Sequence, residues 1–307
     1  MAMTYSDTLN YLGVLYQLKA NRTGFLSYLG GMAGGNYATY GSFIFPMGVN
    51  YELPTGSQPA IDEETAAAGV TPTTQTTAQA TNTVQIFHEG YKVSYAKESR
   101  VNEVSGVALN AGTLNNTAMA FQRAAALGRM AIKMDYSFLN GSYQAASSTS
   151  TAAKTRGLIT AISTHEVAAG STDLSKDLIN QLLVSLTADS DLDNPVMIGG
   201  AFQKTQISNI YGFAPDDRNI GGVNVSRVVT DFGEFDYVMA LHCPASTLVI
   251  ADGSKLRPVY CPYNGDIITD ELLAKTGAAD AGQIYSQAGI DYGHEKFHGK
   301  ITGLTTS

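Results

Sequence analysis

The stretch from Pro54 to Thr83 constrains this chain most. It is rich in Thr, Ala, Gln, Gly and Pro and carries few large apolar side chains. Such a segment cannot bury enough apolar surface to offset its ordering entropy, so it builds no core of its own. Strand-like alternation flanks it on both sides. Phe43-Ile44-Phe45 and Val49-Asn50-Tyr51 read as one outgoing strand, and Val84–Phe87 with Tyr91–Tyr95 as the return. Residues 36 to about 98 are therefore expected to form a long hairpin-like arm with a polar tip. Loops of this length are uncommon in compact domains and are usually functional.

The rest of the chain can supply a core. Of 307 residues, 44% are hydrophobic, enough for one large or two ordinary domains. Charged residues make up 15%, well below the roughly 25% of an average soluble domain. Interface centres are depleted in charge and enriched in aromatics, and the chain holds 17 Tyr and 11 Phe. Two readings stay open: extensive subunit contact, or a neutral surface of Ser, Thr and Gly. A net charge of −8 and a pI near 5.1 argue against a protein that grips nucleic acid over its whole surface. No apolar run is long enough to cross a bilayer as a helix. Met1–Asp7 shows no basic region leading into an apolar stretch, so no secretory signal is visible. On that basis Cys243 and Cys261 are expected to be reduced thiols, and the Asn-x-Ser/Thr triplets at Asn21, Asn115, Asn140 and Asn224 to be chance.

Residues 1 to about 35 read as an arm, with Leu9, Leu12, Val14, Leu15 and Leu18 loosely helical in spacing and the glycines of Gly30–Gly35 forming a flexible joint. Residues 117–140 read as the longest helix. Phe121, Ala125, Gly128, Ile132, Tyr136 and Leu139 make its apolar stripe, Arg123, Arg129 and Lys133 lie off it, and Asn140-Gly141 is the stop. A second helix spans about 174–187, capped by Thr172 or Ser171. From 195 onward the pattern turns to strands: Val196–Ile198, Val223–Thr230, Phe235–Leu241, Thr247–Ile250 and an alternating Asp291–Leu304. The mixture indicates an α+β fold.

Two motifs invite a chemical reading. His294-Glu295-Lys296-Phe297-His298 spells HExxH, which on a helix sets two histidines one turn apart on zinc with glutamate as base. Gly293 and Gly299 bracket it and leave no room for that helix. As a strand it would set the imidazoles about 13 Å apart at about 3.3 Å per residue. Asp189–Asn194 opens like a calcium loop, but Asn194 stands where the turn glycine belongs and Gly200 where the bidentate glutamate belongs. His242 beside Cys243 continues a strand pattern, which would point the pair to opposite faces. Lone histidines such as His88 and His165 more often make structural hydrogen bonds. No catalytic, cofactor-binding or metal-ligating constellation is assembled from these residues.

The order of parts carries a further signal. Val84-Gln85-Ile86-Phe87-His88-Glu89-Gly90-Tyr91-Lys92-Val93-Ser94 is followed by Arg129–Gly141, then Thr155–Ile162, Thr230-Asp231-Phe232-Gly233, Lys255-Leu256-Arg257-Pro258, Leu273–Gly277 and Gly299–Leu304. In that order and spacing the chain resembles the major capsid (major head) proteins of tailed double-stranded DNA phages, whose fold is shared by encapsulin shells. The resemblance implies an N-terminal arm at 1–35, an extended loop (E-loop) at 36–98, a peripheral domain at 99–160 and 285–307 around the long spine helix, and an axial domain at 161–284. It implies a structural protein without catalytic activity that assembles as pentamers and hexamers into an icosahedral shell around double-stranded DNA. The partners implied are copies of itself, and portal, scaffold and decoration proteins, with no cofactor and no membrane. The place implied is the virion, after assembly in the host cytoplasm. Alternatives are an encapsulin-type nanocompartment, another virion part such as a decoration or tail protein, and a zinc hydrolase built on 294–298.

Overall fold

The computed structural model describes residues 23–32, 34–54, 56–69, 72–96, 118–211, 217–220 and 223–306. The leucines of the first arm lie outside these residues. Two sheets form the body, and a two-stranded ribbon stands off it.

The first sheet holds β1 (Ala38–Thr39), β4 (Gln85–Ser94), β11 (Arg257–Tyr260), β12 (Ile268–Leu272) and β13 (Ala279–Asp291). The long β13 is its centre. It pairs with β4 from Ala279 to Ala288 on one edge and with β12 and then β11 on the other. Helix α3 (Ala118–Asn140) lies across β4; in chain order it follows α1 (Gly24–Tyr28) and α2 (Glu63–Ala68). Strand β4 alternates strictly, with Phe87, Glu89, Tyr91 and Val93 inward and Ile86, His88, Gly90 and Lys92 outward.

The extent of α3 matches its periodicity, but its buried face does not. Ala126, Met130, Met134 and Phe138 are fully buried, whereas Gly128 and Tyr136 of the expected stripe are exposed. An Ala-rich helix with few charges offers more than one apolar stripe, and contact with β4, β13 and α1 selects among them.

The second sheet has the order β5 (Glu166–Thr172), β14 (His298–Leu304), β10 (Leu248–Asp252), β6 (Pro195–Gly199), β9 (Gly233–Met239), β8 (Val223–Thr230) and β7 (Asp217–Ile220). Its alternate residues feed two separate cores. Val196, Ile198, Val249 and Ala251 face the α3 side, and Met197, Leu248, Ile250 and Phe235 face α5 (Lys176–Leu186). The short α4 (Leu158–Ala161) precedes this unit. The cap of α5 is Ser175, whose Oγ accepts the Leu178 N–H at 3.3 Å. Thr172 and Ser171 instead close strand β5, Ser171 at a φ of 64°. Gly299 lets α5 pack closely on β14: a Cβ there would lie 2.7 Å from the Leu182 side chain, which would have to shift.

Several expectations change. Residues 201–211, expected among strands, form α6 (Ala201–Tyr211), which buries only Gln203 and Ile207 and so shows little amphipathic pattern. Residues 294–298 are not a strand: a 3-10 turn spans Glu295–Phe297, and β14 begins at His298. His242 and Cys243 lie in a turn after β9, not in a strand. Gly30 and Gly35 pack together rather than forming an open joint. Gly30, Gly31 and Gly35 hold φ of 102°, 80° and 75°, and Gly30 packs backbone to backbone against Gly35. The two sheets are interleaved along the chain. Strands β11, β12 and β13 lie in the five-stranded sheet beside α3, β13 running across residue 284, while β14 lies in the seven-stranded sheet. The chain crosses between sheets after β10 and again after β13, and such long-range pairing leaves no local trace in periodicity.

Candidate assembly surface

The ribbon is β2 (Ile44–Asn50) paired antiparallel with β3 (Ala78–Thr83). The return strand expected from the sequence, Val84–Tyr95, instead pairs with β13 in the body. Strand β3 was unreadable because it is polar: Ala-Gln-Ala-Thr-Asn-Thr. Its root is held by Asn82, fully buried, whose amide donates to the Arg156 and Ile290 carbonyls at 3.1 and 2.9 Å and accepts the Arg156 N–H at 2.9 Å. Phe45 and Met47 are the buried side chains of β2.

Beyond that root the ribbon exposes its apolar residues. Val49, Tyr51, Leu53 and Ile61 are 61%, 60%, 70% and 57% exposed, and α2 buries nothing. Asp62 caps α2 by accepting the Thr65 N–H at 2.7 Å, and Glu63 and Glu64 complete an acidic first turn. No Lys or Arg occurs from Thr23 to Tyr91. The arm is therefore apolar and acidic, and Glu52, just past the outer end of β2, pairs with Lys296 of the body.

The outer face of α3 has the opposite character. Its one acidic residue, Asp135, is fully buried, while Arg123, Arg129 and Lys133 are exposed. Arg123 pairs with Asp270, and Arg129 and Lys133 share the single carboxylate of Glu89. A groove of about 510 Å³ opens between α3 and β4, lined by Ile86, His88, Ile132, Lys133, Tyr136 and His242 among others.

Asp135 ties three segments together. Its Oδ1 accepts the Leu26 N–H of α1 at 2.7 Å, and its Oδ2 accepts from His242 Nδ1 at 2.6 Å. Burial raises the Asp135 pKa despite these bonds. Thr23 gives α1 no side-chain cap, so a carboxylate of α3 supplies that acceptor.

The HExxH residues do other work. His298 is fully buried; its Nε2–H donates to the Tyr292 carbonyl at 2.7 Å, and Nδ1 accepts the Asp252 N–H at 3.3 Å. Burial lowers its pKa to about 4. His294 caps the 3-10 turn by accepting the Lys296 N–H. Burial would raise the pKa of Glu295, but the Thr164 hydroxyl and the Ser163 and Thr164 N–H groups hold it down to about 2. Among the described residues no three His, Cys, Asp or Glu side chains converge as metal ligands. In the calcium-like loop, Asp189 meets His165 and Lys296, and Asp193 meets Lys255. His165 also contacts Ser185 Oγ at 2.7 Å, fastening α5, and His88 contacts Gln283 at 3.1 Å. Burial pushes the Cys243 thiol up to about 12, which leaves it unreactive, and both cysteines are free. No helix of the described residues is long and apolar enough to cross a membrane.

A two-sheet body with a long helix and a projecting ribbon is found in solved structures. The capsid of the native GTA particle matches at a TM-score of 0.61 and 12% identity, over 99% of this chain and 95% of that one. A chain of Mycobacterium phage Cain matches at 0.56 and 16%, over 100% and 96%. The holo-SrpI encapsulin complex of Synechococcus elongatus PCC 7942 matches at 0.58 and 8%, over 88% and 85%. At such identities the likeness concerns the fold. The chain belongs to the SU10 major capsid protein family, whose model matches residues 2–305. It is a structural protein of the virion capsid, not an enzyme, and it assembles into multimeric shells. No curated protein matches it.

Proposed function

We propose that this subunit assembles as pentamers and hexamers into an icosahedral shell around double-stranded DNA, and that the β2–β3 ribbon with its tip is the arm that each copy lays on a neighbour. The carrying observation is the ribbon itself: four large apolar side chains more than half exposed in a segment with no core of its own. A two-stranded ribbon is marginal in water alone. It becomes stable once a neighbour covers it, the ordering entropy being met by interface burial.

In this reading the five-stranded sheet with α3 is the peripheral domain. The seven-stranded sheet with α5 and α6 is the axial domain, and its tips gather around the symmetry axes. A net charge of −8 keeps like-charged DNA from adhering to the wall. Portal, scaffold and decoration proteins would complete the particle, assembled in the host cytoplasm.

The test is deletion of residues 56–80, followed by electron microscopy of the expressed protein. Because α2 buries nothing, the body is expected to fold and closed shells to be lost. Normal closed shells from this deletion would refute the assigned role of the arm.

A further inference from the structure

The chain contains two Asn-Gly steps, Asn140-Gly141 and Asn264-Gly265. In such a step no Cβ shields the glycine nitrogen, so it can reach the side-chain amide of the asparagine. The nitrogen attacks Cγ, and a new N–Cγ bond closes a five-membered succinimide. The Cγ–Nδ2 bond breaks, and Nδ2 leaves as ammonia with the proton of the glycine N–H. Water then opens the imide at either carbonyl, giving aspartate or isoaspartate. Water is the only co-reactant. We propose that Asn264 is a site of this deamidation in the native subunit, and that the fold withholds Asn140 from it.

Geometry separates the two steps. Asn264 and Gly265 are the exposed central residues of a tight turn, with φ of 51° and 92°. Two backbone bonds of 3.0 Å between Tyr263 and Asp266 close this turn, an isolated bridge with no strand ladder behind it. Among the described residues, neither the Gly265 N–H nor the Asn264 side chain has a hydrogen-bond partner, and a Cβ at Gly265 would meet nothing within 4 Å. Nucleophile and electrophile are both free, and opening of the turn brings them into line. At the end of α3 both are engaged. The Gly141 N–H donates to the Ser137 carbonyl at 2.9 Å, and the Asn140 amide donates to the His242 carbonyl at 2.8 Å. Around Gly141 there is no room for the ring: a Cβ there would lie 2.4 Å from the Thr155 carbonyl oxygen. Conversion of Asn264 to either product takes the formal net charge of the subunit from −8 to −8 − 1 = −9. Isoaspartate also adds a methylene to the main chain of a two-residue turn, which strains the Tyr263–Asp266 pairing.

Mass spectrometry of the full-length subunit, native and in urea, tests this after incubation at mildly alkaline pH. Trypsin separates the two asparagines, because Asn264 falls in the peptide 256–275 and Asn140 in the peptide 134–154. Each event exchanges NH for O, a mass gain read directly. In the native protein Asn264 is expected to convert at least about tenfold faster than Asn140, since tenfold is about 1.4 kcal/mol, the net strength of one or two hydrogen bonds. In urea those bonds are gone, and the two rates are expected to become comparable. Asn264→Gln keeps an amide but would need a six-membered ring. Asn264 is the only asparagine of its peptide, so this variant is expected to abolish the gain in 256–275. Faster conversion of Asn264 that urea equalises supports the assignment. Equal rates in the native protein, a silent Asn264 while urea converts both, or a mass gain that persists in Asn264→Gln each overturn it.

Discussion

His298 should give the subunit a defined acid sensitivity. In the native state the imidazole is buried and neutral, wedged between the Tyr292 carbonyl and the Asp252 N–H, and protonates only near pH 4. Protonation would place a charge in the core and would take from the Asp252 N–H its acceptor. In the unfolded chain the same group protonates near 6.5. Between these values the unfolded state binds more protons, so stability is full above pH 6.5 and falls as pH drops towards 4. The span of 6.5 − 4 = 2.5 units, at 1.36 kcal/mol per unit, amounts to about 3 kcal/mol, a large part of the 5–15 kcal/mol typical of a domain. Urea unfolding of the purified subunit at half-unit steps from pH 7 to 4 measures it, with His298→Gln as reference. The variant cannot titrate there and starts about 1–2 kcal/mol less stable from poorer hydrogen bonding. The two curves are expected to converge and then cross as pH falls, because a loss of about 3 kcal/mol exceeds a starting gap of about 1–2 kcal/mol. Glu295 does not blur the result. Its depressed pKa gives stability that is present above its ordinary value of 4.5 and is lost as pH falls towards 2, a loss that enters only at the acid end of the scan and is shared by both proteins. Curves that stay parallel from pH 7 to 4 would refute the reasoning.

Other perturbations have definite expectations. Asp135→Asn removes the charge that accepts from Leu26 and His242 and is expected to cost about 3 kcal/mol in urea unfolding, with proteolysis near α1 accelerated. Gly157→Ala would force a Cβ to 2.5 Å from the Gly141 nitrogen and should lower stability by about 2–3 kcal/mol. Gly128→Ala, exposed on α3 with nothing within 4 Å of its Cβ, should raise it by about 0.5–1 kcal/mol in the same assay. Ser175→Ala removes the cap of α5 and should cost about 1 kcal/mol, read as a shift in melting temperature.

What could be read from the sequence was what local physics dictates. The run to Asn140-Gly141 has no interrupting proline, and α3 ends there. Thr247–Ile250 reads as a buried strand because β10 (Leu248–Asp252) is buried on both faces. Where tertiary contact decides, periodicity misleads. The buried face of α3 turned because β4 and β13 pack against Met130 and Met134 rather than Ile132. Strand β3 looked like part of a polar tip because its pairing depends on backbone bonds and the buried amide of Asn82, not on apolar alternation. Helix α6 was missed because the residue it buries beside Ile207 is Gln203, held by the Ala245 and Thr305 carbonyls at 2.8 and 2.9 Å. The absence of Lys and Arg from Thr23 to Tyr91 was legible in the sequence, but it acquired meaning only once the cations of α3 were seen on the opposite surface.

The low charge of the chain left two explanations open, a neutral polar surface or extensive subunit contact, and the distribution of exposed side chains weighs between them. A neutral surface would scatter its apolar residues singly. Here Ile44, Val49, Tyr51, Leu53 and Ile61 crowd one ribbon and its tip, a segment without a cation and with two strands. Either strand of such a ribbon has a second edge of backbone N–H and C=O groups that β2–β3 pairing leaves over. In an isolated monomer that combination invites promiscuous pairing, and Lys at such an edge is a common defence. This ribbon has no Lys. That combination supports the proposed reading, in which the ribbon lies on a neighbouring copy.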